Sequence, residues 1–330
     1  MSKMKKWMII GVLALPIIIF FSLKFGAANT SWSTYLNILG GFINKGNSYE
    51  IIINMRLPRI LATGIVGASF AVAGAAMQGL TRNKLADASI LGINSGASFM
   101  LAICFALISR NNFIITIIMS FIGAALGLFL TLSFSTNKYS SNSKNLLLAG
   151  VAVSLFFTSL SQFVAIYFNI GQELTFWNVG GNANIGYSEL MLSFIAFVIG
   201  ILILFSLAKK LTLLSISDEV ATSLGVNVNK TKFLICIGAL LLAGMSVSIV
   251  GSISFVGLIV PYAVSRLIKK EEYQYILPLS CIYGANFLII IDLIARNIQP
   301  PYETPLGIIM SIIGVPTFLF MERKMYYANK

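Results

Sequence analysis

The 330-residue chain is 57% hydrophobic and only 10% charged, with a mean hydropathy of +0.88, and that is too little polar surface to clothe a water-soluble fold of this length. Its 23 Lys and Arg against 11 Asp and Glu give a formal charge of +12, while three cysteines without a CxxC pair and the absence of histidine argue against a Cys/His metal site. The composition is that of an all-α polytopic membrane protein, and no cofactor is implied.

A membrane-spanning helix needs about 20 apolar residues. Breaks marked by charge, Pro, Gly or Asn divide one transmembrane domain, residues 1–330, into about ten such segments. They fall near 7–24, 58–80, 87–108, 112–134, 145–168, 189–208, 232–250, 253–268, 276–294 and 305–321. With the N-terminus inside, seventeen of the 23 basic residues collect at the ends and inner turns, among them Lys3, Arg82, Lys138, Lys209, Lys269 and Arg323. The positive-inside rule then places both termini in the cytoplasm. That asymmetry accounts for the net charge, and nothing further supports a nucleic-acid partner.

The basic start Lys3–Lys6 and the apolar run from Trp7 to Leu23 have the order of a signal peptide, but the run exceeds the usual core of about 7–15 residues, which favours a retained first helix. Asn29 to Glu50 is then an outer loop with Trp32 and Tyr35 at the lipid interface. Arg56-Leu-Pro-Arg59 opens the second helix, with Pro58 in a first turn where its missing N–H costs nothing. Spacing i, i+3 sets Arg56 and Arg59 on one face at the outer edge. Interfacial snorkelling is the bland reading of such arginines. The positive-inside rule disfavours arginine there, however, and with Arg296 the pair forms a cationic rim suited to carboxylates of a soluble partner.

Small residues at Gly64, Gly67, Ala71, Gly74 and Ala75 give this helix a face for close helix approach. Asp87 is expected in the first turn of the third helix, where it complements the helix dipole. A polar stretch, Ser135 to Asn145, precedes the fifth helix, whose Ser154, Thr158, Ser159, Ser161 and Gln162 form a stripe suited either to an aqueous path or to interhelical hydrogen bonds. From Ser215, the segment 215–229 reads as a short amphipathic helix, with Ser215 and Asp218 as a capping box, Asp218 and Glu219 in its first turn, Val220, Ala221 and Leu224 on its apolar face and Gly225 as its stop. Such a helix lies on the membrane or inserts into a groove of a cytoplasmic protein. Gly251 to Tyr262 is a Gly- and Pro-interrupted span. Asp292 and Arg296, at i, i+4, are expected to pair within one helix.

The chain resembles the FecCD-type permeases of iron-siderophore and cobalamin ABC importers over essentially its whole length. The resemblance rests on Arg56-Leu-Pro-Arg59, Gly74-Ala-Ala-Met-Gln78, Leu85-Ala-Asp87 with Leu91-Gly92, Leu148-Ala-Gly150, Ala221 to Gly225, Phe255-Val-Gly257-Leu-Ile-Val-Pro261, Ala295-Arg296 and Glu303-Thr-Pro305-Leu-Gly307. Members of that family often carry prolines near Lys84 and Ala88 and a histidine at Tyr262, so this chain departs from the pattern at all three.

The resemblance implies ten transmembrane helices and a second permease subunit, identical or similar, around a central pathway in the cell membrane. It also implies two cytoplasmic ABC ATPases and an external substrate-binding protein. Arg56, Arg59 and Arg296 would dock the binding protein, while Asp218, Glu219, Ala221, Leu224 and Gly225 would couple to the ATPase. Ser140, Ser141, Asn142 and Ser143 would belong to a cytoplasmic gate, and Ser154, Thr158 and Gln162 are candidates for the pathway. Ferric siderophore, haem and cobalamin are all admissible cargo, with ferric siderophore the commonest in the family. No GxxxxGK[ST] phosphate loop is present, so energy must enter from a partner. The competing class is an ion-driven secondary transporter using Asp292 or Gln162. An intramembrane enzyme lacks a plausible nucleophile and base.

Overall fold

The computed structural model describes residues 2–26, 30–107, 113–135, 143–180, 185–300, 302 and 304–328, and every regular element among them is helical. Helix α1 (Ser2–Lys24) leads to the short helices α2 (Trp32–Leu39) and α3 (Asn47–Tyr49), and a π-helical stretch, Glu50–Arg56, runs directly into α4 (Leu57–Thr81). A 3₁₀ turn, Ala88–Leu91, precedes α5 (Ile93–Leu107), followed by α6 (Phe113–Ser135), α7 (Ser143–Tyr167) and α8 (Gly171–Asn178). Then come α9 (Tyr187–Ser206), α10 (Ala208–Ile216), the short α11 (Asp218–Ser223), α12 (Val228–Val250), α13 (Val256–Ile268), α14 (Tyr273–Ile298) and α15 (Leu306–Ala328).

Among the described residues, six helical stretches are long and apolar enough to cross a bilayer. The α9–α10 pair, bent by 55°, makes a seventh, and three shorter apolar helices lie at 93–107, 256–268 and 306–320. Together they occupy the ten segments expected from hydropathy. The shortest, α13, has 13 residues, so it rises about 20 Å where the hydrocarbon core is about 30 Å thick. The irregular residues before it pack against protein: Ser252 Oγ donates to Asn178 O at 2.9 Å, and Gly251 lies so close to the Trp177 carbonyl that a Cβ there would stand 2.0 Å from its oxygen.

The centre of the molecule is α4, which is buried along nearly its whole length against α14, α12 and α13. Its small residues permit this. A Cβ on Gly67 would stand 2.3 Å from the carbonyl oxygen of Gly284 in α14, and one on Gly74 only 2.0 Å from that of Gly257 in α13. Backbones meet directly here, because without a hydrophobic driving force in lipid, helix association depends on close van der Waals packing.

Three local expectations are corrected. Tyr35 is fully buried rather than interfacial, its hydroxyl donating to Phe20 O at 2.7 Å, because the segment after α1 folds into α2 and packs back on α1. Asp87 does not enter the third helix; it caps the 3₁₀ turn, Oδ1 accepting from Ala88 N at 2.7 Å. Ser215 is no cap either. It belongs to α10 and donates to Thr212 O, whereas Ser217, in extended backbone, accepts from Val220 N at 3.0 Å and starts α11.

Candidate functional site

At one membrane edge the end of α1, the start of α4 and the last turns of α14 bring charged residues together. Asp292 is wholly buried between two arginines: Oδ1 lies 2.9 Å from Arg59 Nη2, and Oδ2 lies 3.0 Å from Arg296 Nε. Arg296 also donates to Ser22 Oγ, and Arg56 Nη1 donates to the carbonyls of Leu23 and Lys24 at 2.8 and 3.0 Å. Those carbonyls end α1, where a helix leaves its acceptors unmet and favours a cation.

The expected Asp292–Arg296 pair is thus present, and the arginines of the expected cationic rim are largely turned inward. Arg56 and Arg296 are buried, and the Arg59 side chain is 12% exposed, because an internal carboxylate and helix-end carbonyls draw the guanidinium groups inward. The link from Arg59 to Asp292 spans more than two hundred residues, and no local spacing announces it.

At the other edge, the α9–α10 bend and the α10–α11 junction form an elbow. Arg82, just past α4, donates through Nε to Leu214 O at 2.9 Å and pairs with Asp218, whose other oxygen lies 2.6 Å from Lys232 Nζ. Asp218 is thereby used internally, and Ala221 is buried. Glu219 and Leu224 face outward, Leu224 with 62% of its surface exposed. Bonds from the Glu219 backbone N–H and from Ser217 hold the Glu219 carboxyl below the usual carboxylate range. Gly225, at φ +79°, ends the helix, with Val226 N reaching back to Ala221 O at 2.9 Å.

The stripe on α7 divides. Ser161 is buried and its hydroxyl reaches the Ser98 carbonyl of α5 at 3.3 Å, an interhelical bond. Ser154 is half-buried, while Thr158 and Gln162 lie on an exposed face beside Leu155 and Phe163. Of the gate candidates, Ser140, Ser141 and Asn142 lie outside the described residues, and Ser143 is the first residue of α7. Among the described residues no group of three His, Cys, Asp or Glu is placed to hold a metal.

A bundle of apolar helices with three short members, a buried charge cluster at one edge and an elbow helix projecting at the other has the architecture of a polytopic membrane protein. The chain belongs to the FecCD transport family, whose model matches residues 14–324. It is 36% identical over 318 residues to the Iron(3+)-hydroxamate import system permease protein FhuB of Bacillus subtilis (strain 168), covering 96% of this chain and 83% of that one. To the Fe(3+)-citrate import system permease protein YfmD of the same organism it is 38% identical, covering 95% and 94%. An inward-facing putative metal-chelate type ABC transporter superposes with a TM-score of 0.85 at 27% identity, covering 97% of this chain and 99% of that one. The expected fold and permease class are thereby established.

Proposed function

We propose that the chain is the membrane subunit of an ATP-driven importer that carries a ferric chelate, with ferric siderophore the cargo, across a bacterial cell membrane by alternating access. The observation that supports this most is the family match over nearly the whole chain, joined to relatives named for iron(3+)-hydroxamate and Fe(3+)-citrate import. Both termini lie in the cytoplasm, on the side of the elbow. Helix α11 offers Glu219, Leu224 and Gly225 to an ATPase, while Asp218 and Ala221 hold the helix in place from beneath. ATP-driven closure of the ATPases moves the elbow, and the rigid shift passes through α10 and α4 to the pathway.

A second permease subunit covers the exposed apolar face of α7, which brings Ser154, Thr158 and Gln162 towards a shared axis. Ser140 to Ser143 close its cytoplasmic end. The external binding protein docks at the Arg56, Arg59 and Arg296 edge, where an incoming carboxylate competes with Asp292 for Arg59. The ion-driven alternative draws no support from Asp292, because a carboxylate held by two arginines is poorly placed to take up and release a coupling ion.

The test is reconstitution with a cognate ATPase and binding protein, comparing wild type with Leu224→Glu and Arg59→Glu. Wild type is expected to show cargo uptake that depends on ATP, Leu224→Glu to lose ATPase association, and Arg59→Glu to lose stimulation by the binding protein. Uptake driven by an imposed ion gradient without ATP would overturn the reading.

A further inference from the structure

We propose that a cationic cavity beside the elbow binds the phosphate-bearing headgroup of an anionic lipid. The cavity, of about 790 Å³, opens between the α4–α5 and α13–α14 connections and is lined by Arg82, Lys84, Arg266, Lys269 and Lys270. Glu271 is the one carboxylate among its described lining residues. A smaller adjoining cavity of about 110 Å³ shares Arg82, Lys84 and Tyr262 and adds Gln78 and Tyr273.

The positive-inside bias explains why cations gather at this edge. It explains neither their concave arrangement nor the state of Tyr262. That residue is 9% exposed, lines both cavities, and its hydroxyl is buried with no hydrogen-bond partner. A buried hydroxyl left unmet is costly, and an acceptor oxygen inside the cavity meets it. The Tyr262 ring also lies under the Arg266 guanidinium, 5.4 Å from its centroid, so one residue supplies a donor and steadies a cation.

Arg82 is already engaged by Asp218 and the Leu214 carbonyl, but internal competition for the other four cations is weak. Lys84 pairs with Glu271 through exposed side chains, Lys270 lies 3.7 Å from Glu272, and Arg266 and Lys269 are exposed. Exposed pairs of this kind exchange readily for a multivalent anion. A phosphate offers several acceptor oxygens to donors arriving from two connections. Anionic headgroups also lie at this depth, where spans end and basic residues cluster.

The experiment uses the full-length chain in nanodiscs of phosphatidylcholine containing a minority of phosphatidylglycerol, with retained lipid read by native mass spectrometry and inorganic phosphate titrated as competitor. Wild type is expected to retain phosphatidylglycerol over phosphatidylcholine by about tenfold or more, and Arg266→Gln/Lys269→Gln to reduce that preference about tenfold. Tyr262→Phe, which deletes only the hydroxyl, is expected to lower retention severalfold with the unfolding temperature unchanged. Release of the lipid by phosphate supports recognition through the phosphoryl group. Phosphate binding without lipid retention overturns the lipid as occupant in favour of a soluble phosphate. Equal retention of both lipids, or retention indifferent to both variants, overturns the site.

Discussion

Gln78 supplies in α4 what Pro261 withholds in α13. Pro261 has no N–H to give to the carbonyl of Gly257, four residues before it, and a proline inside a helix leaves that acceptor orphaned. The Gln78 amide reaches across, with Nε2 3.5 Å from Gly257 O and 3.3 Å from Leu258 O. The two helices touch here through Gly74 and Gly257, so the carboxamide is the only length of side chain needed to close the gap.

Gln78→Leu should therefore cost about 1–3 kcal/mol, the penalty for leaving a buried acceptor unmet. In a Pro261→Ala background the carbonyl regains its helical donor, and the same substitution should cost distinctly less. A double-mutant cycle of unfolding in detergent tests this, and additive effects would show that the amide serves some other purpose.

Replacement of the contact glycines follows from the same geometry. Gly74→Ala drives a methyl to 2.0 Å from a backbone oxygen, and Gly67→Ala one to 2.3 Å from another. Neither neighbour is a flexible side chain that can rotate away, so each substitution should destabilise by about 1–3 kcal/mol or more. Gly171, at the start of α8, meets nothing within 4 Å. Gly171→Ala should be neutral or stabilising by up to about 1 kcal/mol. Yield and unfolding temperature of the three purified variants give the comparison.

The Asp292 cluster should respond asymmetrically. Asp292→Asn leaves Arg296 buried beside a neutral amide and deprives Arg59 of its carboxylate, a loss of about 3–5 kcal/mol. Arg59→Gln should cost less, because its side chain retains some contact with water. Combining Asp292→Asn with Arg296→Gln should cost less than the sum of the two, since the second change removes the charge stranded by the first. Strict additivity in thermal unfolding would argue that the pair is not energetically coupled.

How far the sequence reveals this molecule depends on whether the deciding interaction is local. The ten apolar helical segments, the small-residue face from Gly64 to Ala75, the short elbow helix ending at Gly225 and the i, i+4 pairing of Asp292 with Arg296 are all written in spacing, hydropathy or capping chemistry. The burial of Arg56 and Arg59 is not. Their inward orientation depends on carbonyls at the end of α1 and on a carboxylate far along the chain, and a sequence spacing of i, i+3 cannot tell such partners from water. The capping-box spacing of Ser215 and Asp218 points to the wrong serine, because the bend between α10 and α11 leaves Ser215 inside α10 and puts Ser217 at the start of α11. Pro261 did carry a usable signal, because a missing N–H within a buried helix demands a donor from elsewhere. That Gln78 of α4 supplies it is decided by tertiary packing and is not marked by any sequence spacing.

The elbow separates holding from presenting. Asp218 is fixed by Arg82 and Lys232, while Leu224 projects from the far end of the same short helix. Asp218→Asn should loosen the elbow, with a modest cost of up to about 1 kcal/mol, since these pairs are partly exposed, and with a sensitivity to salt that is lower than in wild type. Leu224→Glu should leave unfolding within about 0.5 kcal/mol of wild type, because the side chain touches little within the chain. Faster proteolysis around 216–226 in Asp218→Asn, but not in Leu224→Glu, would distinguish the two effects. Equal protection in both would mean that the Arg82 and Lys232 contacts do not set the position of α11, and that the backbone bonds around Gly225 suffice.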